Sequence, residues 1–491
     1  MDFLDPSKKR ASQIRLIVGY VLIAIAIGLV TAILVFQSYG YDLDRKTGAI
    51  IQNGLLFVAA QPEPADVYLN GKQYKSQSDA RLVLPSNIYQ LELRRTGYNT
   101  WKRTISLAGG SIERYVYPFL FPAKPNVKEQ KNYTVAPSFS TQSPDRRWLL
   151  VEQPGKTGVF DEFDANDSKK ASVAVTVPQA IFTTSTKHQL TLVEWSNDNR
   201  HFLVRNDYDG GSEFVMIDRE TPASSYNVNK TFSTINVTEA NMRDKQYNQL
   251  YLHDQTTREL GLGDSKDSSV KPVLNNVLAY KSHGTDLILY ATDEKASAGK
   301  ARVLLNDTTG SYLIREVSTS PKYLLDLSQY DNHWHVAVGG SADSKVFLYK
   351  DPQNTMKQTA LPTLPETALR VTDPSWLGFS ANAQFIALQS GSQFATYDFE
   401  NQRPYRYDLK LPVDAAMPNA AWMDGNRLML SSQAKMVIFD YDGINIQSLL
   451  ANQPGLLPYF DRQYKLLYTM APKADGTFSF NRTNLIVGQN N

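Results

Sequence analysis

The sequence predicts an all-β protein preceded by a single apolar helix. Aromatic residues make up 11% of the 491 residues, with 27 Tyr among them, and short β-branched and aromatic runs recur along the chain. Such runs favour strands over helices. One uncharged run near the N-terminus is long enough to cross a membrane, and a weak repeat runs through the long C-terminal part. At this length we expect two or three domains.

Charge and cysteine content exclude several classes of function. Lys+Arg number 51 and Asp+Glu number 49, so the net charge is only +2. This balance predicts no nucleic-acid partner, because such a partner requires a concentrated basic face. The chain has no cysteine, which excludes disulfides, thiolate metal sites and a cysteine nucleophile.

The predicted membrane span covers residues 16–36. These 21 residues carry no charge, and at 1.5 Å per residue they extend about 31 Å, close to the thickness of a bilayer core. The preceding residues are rich in basic side chains: Lys8, Lys9, Arg10 and Arg15. The positive-inside rule therefore predicts a single-pass protein of the cell membrane, with a cytoplasmic tail at 1–15 and all later domains extracytoplasmic.

Two alternatives compete with the membrane anchor. A cleaved signal peptide has an apolar region of about 7–15 residues that ends at small residues, whereas this run is longer and ends at "LVFQSYGY". A buried core helix is disfavoured because the run has no polar face. We therefore expect the lipid bilayer to be the partner of residues 16–36.

Residues 50–118 are predicted to form a small antiparallel β domain. Asn70-Gly71 is a strong hairpin signal, because both residue types tolerate positive φ. The predicted strands are short and separated by turn signals: 55–60, 66–69, 80–84, 89–94, 101–107 and 113–117. The polar stretch "QYKSQSDA" after the first turn is interpreted as a loop.

The stretch "PEPADVYLNGK" resembles the opening of a PEGA domain. Pro62, Glu63 and Ala65 match its name-giving tetrapeptide, and Pro64 stands in place of the glycine. Gly97-Tyr98 before the last strands also fits the family's pattern. The resemblance implies a small β module of bacterial and archaeal envelope proteins without established catalytic residues. We therefore expect a spacer module next to the membrane of a prokaryote.

A proline-rich linker is predicted at residues 119–136. Pro122 and Pro125 lie inside it, and Pro118 and Pro137 flank it. Prolines block helices and central strands and favour an extended, semi-rigid segment. The linker is expected to separate the β domain from the C-terminal part.

Residues 137–491 contain a repeated block of an aromatic residue or Ser, a polar turn with Asp or Asn, and a strand. The blocks begin at Ser143, Trp195, Phe379, Trp422 and Tyr459. A period of about 40–45 residues with four strands per unit predicts a β-propeller of seven or eight blades. A pair of stacked β-sandwiches is the alternative, but it does not explain the repeating block.

The repeats resemble those of TolB-like β-propellers. Ser143-Pro144-Asp145 and Asp440–Gly443 are the best matches, whereas the repeats between about 235 and 365 are degenerate. TolB-like propellers also accompany prolyl-oligopeptidase-type hydrolases, which need a G-x-S-x-G nucleophile elbow. This chain has none, so we predict that the protein is not an enzyme.

Two groups of residues are candidate metal ligands. His333 and His335 lie on one face of a strand, but a site needs three or four ligands. The acidic stretch "DEFDANDS" (Asp161, Glu162, Asp164 and Asp167) lacks regular calcium-loop spacing and is interpreted as a solvated hairpin tip. No catalytic, cofactor-binding or metal-binding residue is therefore predicted, and no cofactor.

The favoured hypothesis is a membrane-anchored binding or scaffolding protein. Its propeller would recognise an envelope protein, a peptide or a cell-wall glycan through its loop faces. The alternative is an extracytoplasmic sensor that acts through a membrane partner. A degenerate enzyme that uses carboxylates in the propeller channel ranks lowest, and the ligand itself is not identified.

Overall fold

The chain divides into two compact units, Met1–Lys124 and Pro125–Asn491. The structure is a computed structural model that describes residues 6–43, 50–359 and 363–488.

The first element is a long apolar helix, α1 (Pro6–Ser38). Its segment Ser12–Ser38 has a mean hydropathy of 2.7, and none of that apolar window is buried in the protein. The helix includes the predicted span 16–36, and its length and composition suit a membrane crossing. Large apolar side chains such as Ile25 and Leu29 are more than half exposed, so the helix is not a buried core element.

Eight strands form two sheets in the first unit. Their bounds are β1 (Tyr41–Leu43), β2 (Ile50–Val58), β3 (Asp66–Leu69), β4 (Lys72–Gln77), β5 (Ala80–Pro85), β6 (Asn87–Arg94), β7 (Trp101–Leu107) and β8 (Ile112–Tyr115). One sheet has the order β1-β2-β5, with β8 parallel to β2, and the other has the order β4-β3-β6-β7. Alternate side chains point into one core, which includes Leu56, Leu82, Leu91 and the fully buried Trp101.

One strand of this unit lies where the sequence predicts a loop. β4 follows the Asn70-Gly71 turn, in which both residues have positive φ, of 50° and 78°. All six residues of β4 are exposed. An edge strand with no buried face shows no apolar alternation, so its sequence does not distinguish it from a polar loop.

The predicted linker at 119–136 is largely structured. Phe119, Leu120 and Phe121 are buried, and Leu120 belongs to the core of the first unit. β9 (Asn126–Tyr133) then pairs with a strand from the C-terminal end of the chain. Burial of Phe119, Leu120 and Phe121 stabilises the N-terminal part of the predicted linker. Hydrogen bonds to the neighbouring strand order β9, its C-terminal part. Only a short proline-flanked segment connects them.

The second unit consists of four-stranded antiparallel sheets, eight in the residues described, which we number in chain order. The strands of sheets 1 to 4 are β10 (Ser140–Gln142), β11 (Trp148–Glu152), β12 (Val159–Asp164), β13 (Val173–Thr176); β14 (His188–Trp195), β15 (His201–Tyr208), β16 (Gly211–Asp218), β17 (Tyr226–Asn227); β18 (Glu239–Met242), β19 (Gln249–Asp254), β20 (Glu259–Asp264), β21 (Ser269–Leu274); and β22 (Ala279–His283), β23 (Leu287–Thr292), β24 (Lys300–Asp307), β25 (Gly310–Ser318).

The strands of sheets 5 to 8 are β26 (Tyr323–Tyr330), β27 (His333–Gly340), β28 (Lys345–Lys350), β29 (Thr367–Arg370); β30 (Trp376–Phe379), β31 (Phe385–Ser390), β32 (Gln393–Asp398), β33 (Arg403–Asp408); β34 (Ala421–Trp422), β35 (Arg427–Ser432), β36 (Lys435–Asp440), β37 (Gln447–Ala451); and β38 (Tyr459–Phe460), β39 (Leu466–Pro472), β40 (Phe478–Asn484) with β9. Two short helices, α2 (Val228–Thr231) and α3 (Pro352–Thr359), and the 3₁₀ turns Gln179–Ile181, Pro222–Ser224 and Arg243–Lys245 lie in the connections.

The ring closes through sheet 8, which contains strands from both ends of the unit. β9 is its fourth strand and pairs with β40. Sheets 1 and 8 also share a core that includes Phe163 and Phe480, and the Gln142 amide donates to the Phe460 carbonyl at 2.9 Å. A closed ring of four-stranded sheets is a β-propeller, and closure leaves no large unpaired sheet edge.

The repeated block in the sequence is the turn between the first and second strands of a sheet. In sheet 1, Ser143 Oγ donates to Asp145, and Asp145 accepts from the Arg147 amide at 3.1 Å. Ser380 and Asn382 form the same hydroxyl contact in sheet 6, at 2.8 Å. These side chains hold a following residue in the left-handed region, which a non-glycine residue rarely adopts alone.

The part between 235 and 365 that appears degenerate in sequence contains regular sheets 3, 4 and 5. Their first turns use other chemistry. Sheet 5 turns through Asp331-Asn332, both with positive φ, and sheet 3 turns through the 3₁₀ segment Arg243–Lys245. Because the Ser/Asp turn is absent, the repeat cannot be recognised there from local sequence.

The antiparallel order of the strands defines two faces of the ring. The front face is where the first strand of each sheet begins, and it carries the loops that join successive sheets and those between second and third strands. The back face carries the turns between first and second strands and those between third and fourth strands.

Candidate functional site

A cavity of about 880 Å³ opens on the front face where sheets 1, 2 and 8 meet. Hydroxyl, amide and aliphatic groups line it, and no charged side chain does so among the residues described. The lining residues are Ala136, Pro137, Ser138, Phe139, Ser140, Thr141, Gln142, Gln189, Leu190, Thr191, Leu192, Ala416, Gln453, Pro454, Gly455, Leu456, Leu457 and Tyr459. We call this the front cavity.

The walls of the front cavity are held by hydrogen bonds between the innermost strands. The indole Nε1 of Trp195 donates to Thr141 Oγ1 at 2.7 Å and joins sheets 1 and 2. The hydroxyls of Ser140 and Tyr459 lie 3.0 Å apart and join sheets 1 and 8. Neutral, short bonds of this kind hold the lining side chains in place without introducing charge.

Several polar side chains of the cavity keep hydrogen-bonding capacity. The Gln189 amide makes only two 3.4 Å contacts, to the carbonyls of Ser138 and Leu190. The Gln453 side chain has no hydrogen-bond partner in the described part of the chain, and Thr191 is exposed. Each amide offers both donors and acceptors. The cavity can therefore bind an uncharged ligand that carries hydroxyl or peptide groups.

Glu152 lines a neighbouring pocket of about 550 Å³, which shares Ser138 and Gln189 with the front cavity. It is only 6% exposed and accepts from Ser138 Oγ at 3.0 Å and from the Gly158 amide at 3.2 Å. Burial raises the pKa of Glu152 to about 7, and these two hydrogen bonds only partly oppose that rise. The carboxyl is thus close to half protonated at neutral pH.

Glu213, in the adjacent sheet, is also almost inaccessible to solvent, but its pKa is shifted in the opposite direction. It accepts from Thr183 N and Oγ1, from Asn206 Nδ2 and from Asn227 Nδ2. Burial alone would raise the pKa of Glu213, but these four hydrogen bonds lower it below its ordinary value. The larger number of donors around Glu213 favours its ionised form, whereas desolvation dominates at Glu152.

Other carboxylates on the innermost strands are engaged by neighbouring groups. Glu194 accepts from the Met242 amide and from Lys245. Glu239 contacts His253 at 3.3 Å. Asp326 accepts from the amides of Leu327 and Phe379, and burial raises its pKa. None of these three carboxylates is among the residues that line the front cavity.

The two histidines of the candidate metal pair, His333 and His335, have different surroundings. His333 Nδ1 contacts Asp351 at 2.5 Å. His335 is buried against Phe399, and burial lowers its pKa to about 4. Among the residues described, no group of three His, Asp or Glu side chains is placed to hold a metal.

The acidic stretch from Asp161 to Asp167 is not a solvated hairpin tip. Most of it forms strand β12, in which Asp161 is buried and accepts from Lys131 and Tyr133. Glu162 pairs with Arg219, and Asp164 pairs with Arg147. The cations come from neighbouring strands and sheets, so the sequence of the stretch alone did not reveal them.

Comparison with known protein families identifies one domain of the chain. Residues 53–115 match the PEGA domain. No curated protein matches the chain in sequence. The solved structures with a similar fold include the Dos1 propeller (12% identity, TM-score 0.44, 73% of this chain and 95% of that chain).

Two further similar structures are enzymes by their descriptions. They are dihydro-heme d1 dehydrogenase NirN in complex with DHE (14% identity, TM-score 0.42, 65% and 67% coverage) and an oligogalacturonate lyase from Vibrio parahaemolyticus (10%, 0.36, 74% and 99%). Identities this low give no specific activity.

The chain combines an apolar helix, a PEGA domain and a β-propeller. The propeller is established by its own closed ring of sheets.

Proposed function

We propose that the protein is a membrane-anchored, extracytoplasmic binding or scaffolding protein of a prokaryotic envelope. The observation that carries this proposal is the uncharged front cavity on a closed propeller. Its ligand is an uncharged, hydrogen-bonding segment of a protein, a peptide or a cell-wall glycan. No catalytic step is part of the proposal.

The chemistry of the cavity favours recognition over reaction. Amides and hydroxyls can bond to peptide or sugar groups, and Leu190, Leu192 and Leu457 offer apolar contact. General acid–base catalysis requires a titrating group within hydrogen-bond reach of the substrate. Glu152, next to the cavity, accepts hydrogen bonds from Ser138 and Gly158. The Tyr459 hydroxyl in the lining contacts that of Ser140, and burial raises the pKa of Tyr459.

The proposed location is supported by the N-terminal sequence. Basic residues precede the apolar helix, and the chain is free of cysteine. This orientation is testable because any introduced cysteine is unique. A membrane-impermeant maleimide should label Lys266→Cys, in the propeller, in intact cells and should label Ser7→Cys only after lysis. The reverse pattern would overturn the orientation.

The binding proposal is tested by photocrosslinking in cells. A benzoylphenylalanine at Leu192, on the cavity rim, should capture one partner that mass spectrometry identifies as a protein or a glycan. The same probe at the exposed Ile446, on the back face, is the matched control.

A double variant decides whether the cavity is responsible. Gln189→Ala with Gln453→Ala removes the two under-used amides and should reduce the Leu192 crosslink at least tenfold. Equal capture from Leu192 and Ile446, or capture that is unaffected by the double variant, would contradict recognition through the front cavity.

A further inference from the structure

A second pocket lies on the back face, where sheets 1 and 8 meet. Its volume is about 490 Å³, within the range of about 300–1,000 Å³ that is typical of ligand pockets. We call this the back pocket. The turn 461–465, the loop after β12 and the back-face ends of β9 and β40 form it.

The back pocket is strongly basic although the whole chain is almost neutral. Lys128, Arg462, Lys465 and Arg482 line it, against the single acidic residue Asp461. They come from three segments, which are adjacent only because the ring closes through β9. The pocket therefore concentrates positive charge that the net charge of +2 does not reveal.

Arg482 supplies a preorganised cation at the base of this pocket. It is 6% exposed, and its guanidinium donates to the Ser168 hydroxyl. A guanidinium presents several donors in a planar fork that matches phosphate and carboxylate oxygens. Because Arg482 is held by the sheet, less side-chain entropy is lost when an anion binds.

Arg462 and Lys465 add two exposed cations at the rim. Both are exposed, and neither forms an ion pair among the residues described. Asp461 does not neutralise them by a salt bridge in that part of the chain, and its carboxylate accepts from the Leu466 amide at 2.7 Å. Arg462 and Lys465 place like charges close together at the pocket, and a bound anion lowers the repulsion between them.

We propose that the back pocket binds a solute or polymer that carries two or more phosphate or carboxylate groups. A concave pocket with a buried arginine fits a discrete oxyanion better than a flat membrane surface. The site is separate from the front cavity and does not depend on the function proposed for it.

The test uses the full chain in phosphatidylcholine nanodiscs, with inorganic tripolyphosphate as the probe in calorimetric titration. We expect one saturable site, and the double variant Arg462→Gln with Lys465→Gln should weaken it at least tenfold. The matched control, Lys156→Gln with Lys187→Gln on the front face, makes the same change in charge and should leave the affinity within twofold.

Further titrations distinguish carboxylate from phosphate ligands, and a soluble anion from a lipid headgroup. Competition by citrate would assign carboxylates as well as phosphates to the site and supports the proposal. Absence of tripolyphosphate binding, or equal loss in both double variants, would overturn it. So would binding only to added phosphatidylglycerol vesicles, because that result would make the patch a membrane contact. A thermal melt of each variant excludes unfolding as the cause.

Discussion

The front cavity and the back pocket lie at opposite ends of the same sheets and have opposite chemistry. At the front, Tyr459 at the start of β38 joins a lining without charge. At the back, the turn directly after β38 contributes Arg462 and Lys465 to a cluster of cations. The strands between them are buried and apolar in both sheets. The difference shows that one ring can present two surfaces of unrelated chemistry, because the residues at strand ends are free of core packing.

The largest expected effect comes from breaking the core that both sites share. Phe480 is 2% exposed, and its ring centroid lies 4.6 Å from that of Phe163, across the junction of sheets 1 and 8. Phe480→Ala should cost about 3–5 kcal/mol of unfolding free energy through lost burial and a residual cavity. Urea unfolding followed by tryptophan fluorescence measures the loss.

The same variant should weaken binding at both faces. If front-cavity binding survives in Phe480→Ala while back-pocket binding is lost, the two sites do not depend on a common ring closure. Phe57→Ala, in the first unit, is the control, because its side chain is outside the propeller and should affect neither site.

A smaller effect, confined to the front, is expected from Glu152. Its pKa of about 7 exceeds the ordinary value of 4.5, so the folded state binds more protons than the unfolded state between those pH values. Stability contributed by this group is therefore complete below about pH 4.5 and is lost as the pH rises through 7. Glu152→Gln should raise the unfolding free energy at pH 8 by up to about 3 kcal/mol and leave it nearly unchanged at pH 4.

Glu213→Gln is the matched control for this titration. Its hydrogen bonds lower the pKa of Glu213, so its carboxylate stabilises the fold above the ordinary pKa and that stability is lost as the pH falls. The amide should therefore destabilise the protein at neutral pH. Denaturant midpoints across pH 4–8 would contradict this account if both substitutions had the same sign.

A hydrogen bond tests the rigidity of the front cavity. Thr141→Val keeps the shape of the side chain but leaves the buried indole N–H of Trp195 without its acceptor. We expect a loss of about 1–3 kcal/mol. Ser140→Ala should cost less, because Tyr459 lines the cavity and can bond to water instead. Equal losses in the two variants would show that the Trp195 bond has no special role.

Sequence reasoning identified the elements whose signals are local. The apolar run 16–36 and the Asn70-Gly71 turn need no tertiary information. The PEGA resemblance within the predicted domain 50–118 is confirmed by the family match at 53–115. The Ser143 and Phe379 turns were recognisable because their own side chains form the hydrogen bonds. Strand β4 and sheets 3 to 5 were unclear because they lack these local signals.

Neither the front cavity nor the back pocket could be predicted from local sequence signals. The front cavity combines residues near 140, 190 and 455, and the back pocket combines Lys128 with residues near 465 and 482. The back-pocket segments meet only when β9 pairs with β40, and in the front cavity the residues near 455 meet those near 140 only when the ring closes. A linear sequence shows the residue types but not which distant turns become neighbours. The basic cluster therefore cannot be predicted from a chain of nearly balanced charge.

The smallest expected effect on stability belongs to the back pocket and has the opposite sign to most substitutions. Removing Arg462 and Lys465 as cations lowers the repulsion within the cluster and breaks no ion pair among the described residues. The double glutamine variant should therefore melt at about 1 °C above the parent at low salt. At 1 M salt, where charges are screened beyond about 3 Å, the difference should vanish. The front-face pair Lys156 and Lys187 contributes no such repulsion to the back pocket, so its substitution should leave the melting temperature unchanged. A lower melting temperature in the back-pocket variant would mean that the two cations stabilise the fold. Arg462 and Lys465 would then have a structural role.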